Sequence, residues 1–158
     1  DFSTADLWDA HHAMIDVCDA QFRSFGLRRR FSGACVTVKT PGDHRQVRAL
    51  AVTPGAGRVI VVDGGSAMKV ALLGDRIATA AMANGWAGIV AFGAIRDTAN
   101  IDAMNFGVKA LGTIARRAES EVGGETGVAL AVAGLTIRPG DWIYADADSV
   151  VVSPKRLA

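Results

Sequence analysis

The sequence predicts an α/β protein with mixed sheets, organised as a single domain over residues 1–158, and three features point there. Residues 59–62 are a continuous β-branched run, followed by an Ala-rich helical stretch at 75–84 and a second apolar run at 88–92. Strands without polar alternation are those covered on both faces, and strand, helix, strand is the order of a parallel crossover. The last third changes character. Short apolar runs at 128–132, 135–137, 142–145 and 150–152 are separated by Gly134, Pro139-Gly140 and the polar stretch 146–149, the pattern of antiparallel hairpins. Finally, the 18 glycines sit mostly at the ends of apolar runs, which divides the chain into many short elements.

Taken in order, residues 4–25 place Leu7, His11, Met14, Ile15, Cys18 and Phe22 at helical spacing, so one or two helices are expected, capped by Ser3 or Thr4. Ala34, Val36 and Val38 alternate with small or polar residues in a strand that starts at Phe31 and ends at Pro41-Gly42. A short helix is expected at 46–50. The 75–84 helix carries an acid in its first turn and stops at Gly85, and the strand that follows is expected to end at Gly93.

Composition excludes several functions. Hydrophobic residues make up 50% and charged ones 21%, and no run of about 18 uncharged apolar residues is present, so no membrane span is expected. Seventeen basic against sixteen acidic side chains leave a net charge of +1, too weak a field to draw in a polyanion, so direct nucleic-acid binding is not expected. Cys18 and Cys35 form neither a disulfide framework nor a zinc pattern, and residues 1–10 resemble no secretory leader. A cytoplasmic protein is expected.

Two Gly-rich stretches, Gly55-Ala56-Gly57 and Asp63-Gly64-Gly65-Ser66, lack the spacing of a dinucleotide or phosphate loop, and tight turns account for them better. The stronger constellation is Gly74-Asp75-Arg76-Ile77 with Arg96-Asp97. Asp75 would start a helix whose free N–H groups favour an anion, and Arg96-Asp97 would follow a buried strand into the same crevice. An Arg fork can hold a carboxylate and an adjacent Asp a hard divalent cation. The plainer alternative, a helix-capping Asp75 beside a solvated loop pair, stays open. His11 and His12 point about 100° apart on a helix and cannot share an ion, and His44 stands isolated. Arg28-Arg29-Arg30 and Arg116-Arg117 read as solvated basic loops. Trp86, Phe106 and Trp142 read as core or subunit-contact residues. Lys69 and Lys109 show no evident burial or partner that would make them imine formers.

These residues resemble the family of regulator of ribonuclease activity A and the metal-dependent 4-hydroxy-4-methyl-2-oxoglutarate aldolases. The stretches that carry the resemblance are Cys18-Asp19, Phe25-Gly26, VIVVDGGSAMKVALLGDRIATAAMANGWAGIVAFGAIRD at 59–97, FGVKALGT at 106–113 and PGDWIYADADSVVVSP at 139–154. The resemblance implies a compact β/β/α swivelling-domain fold and a homotrimer with clefts between subunits. In the aldolase branch an Asp is followed by twenty residues, Arg-Asp, two residues and an acid; here Asp75, Arg96 and Asp97 keep that spacing across residues 76–95. The implied roles are Asp97 as ligand of Mg²⁺ or Mn²⁺, Arg96 as the residue that binds a small 2-oxo acid and offsets enolate charge, and Asp75 as holder of a metal-bound water that relays a proton. Gly74, Asp75, Arg76 and Ile77 would offer backbone N–H groups to the substrate carboxylate.

Asn100 stands where the last acid belongs, and Asp102 is the nearest acid that could replace it. The chain also ends soon after Val152, without the tail through which some family aldolases lend an acid to a neighbouring subunit. The implied activity is aldol cleavage of 4-hydroxy-4-methyl-2-oxoglutarate to pyruvate, with oxaloacetate decarboxylation beside it. The alternative is a non-catalytic regulator that binds and inhibits ribonuclease E. Some relatives are labelled demethylmenaquinone methyltransferases, but the Gly-rich loop and following acid usual for S-adenosylmethionine are not matched here.

Overall fold

The computed structural model describes residues 1–65 and 68–158; Ser66, part of the second Gly-rich stretch, lies outside them. In chain order the elements are α1 (Thr4–His11), β1 (Asp16–Val17), β2 (Arg23–Phe25), β3 (Phe31–Lys39), α2 (Arg45–Ala51), β4 (Val59–Asp63), α3 (Asp75–Ala83), β5 (Gly88–Ile95), α4 (Thr98–Asp102), β6 (Val108–Thr113), β7 (Glu125–Thr126), β8 (Leu130–Val132), β9 (Leu135–Ile137), β10 (Trp142–Ala145) and β11 (Val150–Ser153). One large mixed sheet runs β1-β11-β10-β3-β4-β5-β6-β2, with β7 also paired to β3, and β8-β9 form a separate hairpin. Strands β3 to β6 pair in parallel at its centre, whereas β10, β11 and the edge strands pair antiparallel.

Strand β4 shows how the layers arise. All five of its residues are buried, and successive side chains leave opposite faces of the sheet. Ile60 and Val62 pack with Val47 and Ala51 of α2, Ile77 and Ala81 of α3, and Ile101 of α4. Val59 and Val61 pack with Leu130, Ile137, Ile143 and Val150 from the last four strands. The sheet thus curls so that its late strands cover the face the helices leave bare, which gives a β/β/α layering. A third cluster, Leu7 and Ile15 against Tyr144 and Val151, places α1 on the outer face of β10 and β11.

The N-terminal helix is shorter than its periodicity predicts. Ser3 caps it by accepting a hydrogen bond from the Asp6 amide at 3.1 Å, as expected, but the helix stops at His11. Asp16 and Val17 instead pair with Val152 and Val151 at a sheet edge, and residues 23–25 pair with β6. The edge supplies backbone partners while still burying Ile15 and Cys18, so tertiary pairing overrides a weak helical period. Strand β5 runs past Gly93 through a register shift between Ala91 and Ala94. A Cβ at Gly93 would lie 2.6 Å from Leu72 Cδ1, so the glycine lets a buried leucine close on the strand rather than ending it. Trp86 and Phe106 are core residues; Trp142 is half-buried beneath the Arg156 guanidinium.

Lys109 corrects a sequence expectation. It is 2% exposed, and its Nζ donates to Ser24 Oγ, the Arg29 carbonyl and the Asp146 carbonyl at 2.6, 2.8 and 2.8 Å. Burial pushes its pKa down to about 8, against Asp146 and with some help from Arg29. All three protons are committed, so the side chain ties strand β2, the loop after it and the β10-β11 turn together. Replacing it by methionine leaves three acceptors without a donor, and Lys109→Met is expected to cost about 2 to 4 kcal/mol in denaturant unfolding. Between pH 8 and 10.5 the unfolded chain holds the proton that native Lys109 releases. Wild type should therefore gain stability relative to Lys109→Met as pH rises through that window.

Candidate active-site cleft

The cleft forms where the parallel strands end. Past β4 the chain returns as an extended stretch, its Ala71 bridged to Ala94, with the Leu72 amide donating to the Ala94 carbonyl and the Arg96 amide to the Leu73 carbonyl. That pairing places Gly74, the N-cap of α3, directly beside the end of β5. Asp97 then adopts a left-handed conformation, φ 59° and ψ 36°, which aspartate tolerates better than most residues, and its carboxylate turns back toward α3. Its Oδ2 accepts a hydrogen bond from the Asp75 amide at 3.2 Å. A Cβ at residue 74 would lie 2.4 Å from that oxygen, so only glycine permits the approach.

Asp75 projects from the first turn of α3, and its Oδ2 accepts a hydrogen bond from Asn100 Nδ2 at 2.9 Å. That bond is the largest influence holding the Asp75 carboxyl below its ordinary pKa; burial works against it, and Asp97 and Arg76 assist. Asn100 therefore replaces the expected acid with a donor that fixes and ionises Asp75. Asp102 does not compensate, because its Oδ1 accepts from the Gly26 amide at 3.0 Å and holds α4 against the loop after β2. Arg96 is about one-third exposed, with Nε 3.8 Å from Asp97 Oδ2 and Nη1 donating to the Ala115 carbonyl at 3.3 Å.

Gly74, Asp75, Arg76, Ile77, Arg96 and Asp97 all line one cavity of about 630 Å³. The sequence pairing of these segments in one crevice is what the structure contains. Three further polar lining residues were not expected there: His44, at the N-cap of α2, Arg48 one turn on, and Arg117 beyond β6. No spacing pattern joins them to residues 74–97, so only the fold reveals them. Arg116 and Arg117 are both exposed, as a solvated basic loop would be; Arg117 also borders the cleft, whereas Arg116 donates to the Lys69 carbonyl at 3.0 Å.

Among the described residues no three of His, Cys, Asp and Glu cluster as a metal cage. The donor set on offer is the Asp97 carboxylate, 37% exposed to the cleft, with Asp75 nearby. Hard oxygens from one or two carboxylates suit a small divalent ion that keeps much of its water. Among the described residues, the glycine amides of the Gly-rich turns are committed within the protein. Gly55 and Gly57 donate their amides to Asn84 and Gly85, Gly64 donates to Phe92, and Gly65 to Asp63 Oδ1.

Fold and cleft together define a mixed α/β protein with an Arg- and Asp-lined cleft at the N-terminus of a helix. The chain belongs to the RraA-like family, described as Aldolase/RraA, which it matches over residues 4–152. It is 44% identical to a Paraburkholderia phymatum protein named "Putative 4-hydroxy-4-methyl-2-oxoglutarate aldolase", over 99% of this chain and 98% of that one. A solved structure described as S-adenosylmethionine: 2-dimethylmenaquinone methyltransferase from Geobacillus kaustophilus superposes with a TM-score of 0.96 at 44% identity, covering 99% of this chain and 97% of that one. The RNA-processing inhibitor RraA from Thermus thermophilis superposes with a TM-score of 0.94 at 35% identity, covering 100% and 96%.

Removing the Asn100 amide should release Asp75. In Asn100→Ala the Asp75 carboxyl pKa, followed by carbon-detected NMR titration, is expected to rise toward the ordinary aspartate value.

Proposed function

We propose that this chain is a divalent-metal-dependent aldolase that cleaves 4-hydroxy-4-methyl-2-oxoglutarate to pyruvate and decarboxylates oxaloacetate. The observation that supports it most is the Asp97 carboxylate held on the Asp75 amide, beside Arg96 and in the same cavity as an ionised Asp75. Both reactions break a bond one carbon away from a 2-oxo group and leave an electron pair as an enolate. In the aldol case the C3–C4 bond breaks, the 4-hydroxyl loses its proton as C4 becomes a carbonyl, and C3 takes up a proton. Mg²⁺ or Mn²⁺ bound at Asp97 would supply Lewis-acid stabilisation of the enolate oxygen, worth several kcal/mol.

The chain's own groups supply the rest. The Asp75 amide is taken by Asp97, and the N–H groups of Gly74, Arg76 and Ile77 at the start of α3 receive the substrate carboxylate where the helix dipole favours negative charge. Arg96, its Nη1 anchored on the Ala115 carbonyl, holds its guanidinium over the oxo end and offsets the developing charge. Asp75, kept ionised by Asn100, orients a water for proton transfer to C3. No imine is required, and Lys109, the buried lysine, is fully engaged elsewhere.

A second reading has its own support: the likeness to the Thermus RNA-processing inhibitor makes restraint of ribonuclease E by direct binding the alternative. The methyltransferase name of the Geobacillus protein is not carried over, because the described Gly-rich turns have their amides committed. No helix among the described residues is long and apolar enough to cross a membrane. Free, buried cysteines support a cytoplasmic location as part of this reading, and the homotrimer belongs to it only as what the family resemblance implies.

Protein stripped with chelator and resupplied with Mg²⁺ or Mn²⁺ is expected to release pyruvate from 4-hydroxy-4-methyl-2-oxoglutarate or oxaloacetate in a lactate-dehydrogenase-coupled assay. Asp97→Ala should abolish the release, and Arg96→Gln should lower kcat by about 10² to 10³-fold. Absence of turnover with every ion, together with slowed ribonuclease E cleavage, would establish the regulator instead.

A further inference from the structure

Residues 114–124 lead from β6 to β7 with no helix or strand between, and Arg117 within them borders the cleft. This strap is fastened at both ends. At the near end the Ile114 amide donates to the Ile95 carbonyl, the Ala71 amide to the Arg116 carbonyl, and Arg96 Nη1 to the Ala115 carbonyl, so the strap carries the anchor of the cleft arginine. At the far end the Val122 and Gly123 amides donate to Asp43 Oδ2 at 2.8 and 3.3 Å, and Thr40 Oγ1 donates to the Gly123 carbonyl at 2.8 Å. Among the described residues, 117–121 make no backbone hydrogen bond between these points. A Cβ at Gly124 would lie 2.8 Å from the Lys39 carbonyl oxygen and 3.0 Å from the Gln46 side chain, so the far end is pressed onto β3 and α2.

Asp43 is fully buried and divides its carboxylate between two elements. Its Oδ1 accepts from the Arg45 amide at 3.0 Å and from Arg45 Nη1 at 2.9 Å, at the start of the helix that brings Arg48 to the cavity. Its Oδ2 holds the strap. The Asp43 amide in turn donates to Thr40 Oγ1 at 2.9 Å, so that hydroxyl belongs to the same clasp. Burial opposes ionisation, but the Arg45 and Val122 amides, the Arg45 guanidinium and the Gly123 amide outweigh it and bring the pKa down to about 2. A buried charge survives only when its oxygens are satisfied, and here four donors from two separate segments satisfy them. A carboxamide cannot replace it: whichever way Asn lies, its NH2 group faces either the Arg45 donors or the strap amides.

We propose that Asp43 is a positioning residue of the cleft, a buried latch that fixes the 114–124 strap against the start of α2 and thereby the cavity wall formed by Arg117 and Arg48 and the carbonyl that anchors Arg96. The proposal rests on the aldolase reading for its effect on turnover, while the latch itself is a property of the fold. Asp43 touches no substrate and acts through the strap. Without it the strap keeps its near fastening but loses its hold on α2, and the cavity receives its ligand in a poorer geometry.

The test follows the strap and the kinetics together. Ser120 is exposed between the two fastenings, so Ser120→Cys carries a trifluoroacetonyl label for fluorine NMR, whereas Cys18 and Cys35 are buried with raised thiol pKa values and stay unlabelled. The labelled parent is expected to give one narrow line, and Asp43→Asn a shifted or split one. In the Mg²⁺-dependent pyruvate-release assay, Asp43→Asn with native circular dichroism is expected to raise KM by about ten-fold. Loss of folded protein alone would lower apparent kcat and leave KM in place. Thr40→Val, which removes one bond of the clasp, should move both readouts in the same direction by less, and Thr40→Ser, which keeps the hydroxyl, should restore them; this pair decides the matter if Asp43→Asn does not fold. An unmoved line in folded variants, or a moved line with the parent's KM, overturns the latch. A moved line in a protein that shows no turnover with any ion leaves the latch standing and removes the aldolase reading, whereas turnover with line and KM both unmoved does the reverse.

Discussion

The hydrogen bond from the Asp75 amide to the Asp97 carboxylate is the constraint on which the cleft depends. It joins the first turn of α3 to the loop after β5, and it exists because three local demands coincide. Residue 74 must lack a Cβ, residue 97 must take left-handed backbone angles, and β5 must run past its bulge far enough to deliver Arg96 to the rim. The Asp97 side chain is thereby diverted from capping its own helix, α4, to occupying the end of another. One carboxylate oxygen is consumed by the helix, and the side chain remains open to the cavity beside a guanidinium. The hydrogen bond to the α3 terminus offsets the cost of the left-handed backbone at Asp97 and holds a charge arrangement that an isolated loop would not.

The rest of the fold serves to keep these two segments still. The central parallel strands are buried on both faces, so their ends cannot shift without opening a packed layer. The helices cover one face, and the late antiparallel strands curl over the other. A site assembled at strand ends and a helix N-terminus of such a sheet inherits that rigidity, which is what a reaction governed by electrostatic stabilisation of an enolate would demand.

Lys109 and His44 show why a displaced pKa is read together with its neighbours. Both are buried and both are pushed below their ordinary values chiefly by burial. Lys109 spends every proton on protein acceptors, so its perturbation belongs to the architecture. His44 borders the Arg-lined cleft, and its unpartnered Nδ1 is sealed within the protein. The geometry around each group, not the size of the shift, separates the two.

The sequence by itself determined what local pattern can carry: the buried strand at residues 59–62, the Ala-rich helix that begins at Asp75, the Ser3 cap and the hairpins of the last third. It also fixed the spacing that brings Asp75 to Arg96 and Asp97, because a strand, helix and strand crossover returns the chain to the same sheet edge. Tertiary structure alone decided the remainder. Residues 16–17 and 23–25 became edge strands since pairing with distant β11 and β6 outweighed a weak helical period. His44, Arg48 and Arg117 joined the cleft from elements remote in sequence, and Asn100 turned out to secure Asp75 while Asp102 secured Gly26. Periodicity records which face a residue presents within its own element, but the contact between two elements depends on how the sheet curls, and no short stretch of sequence carries that information.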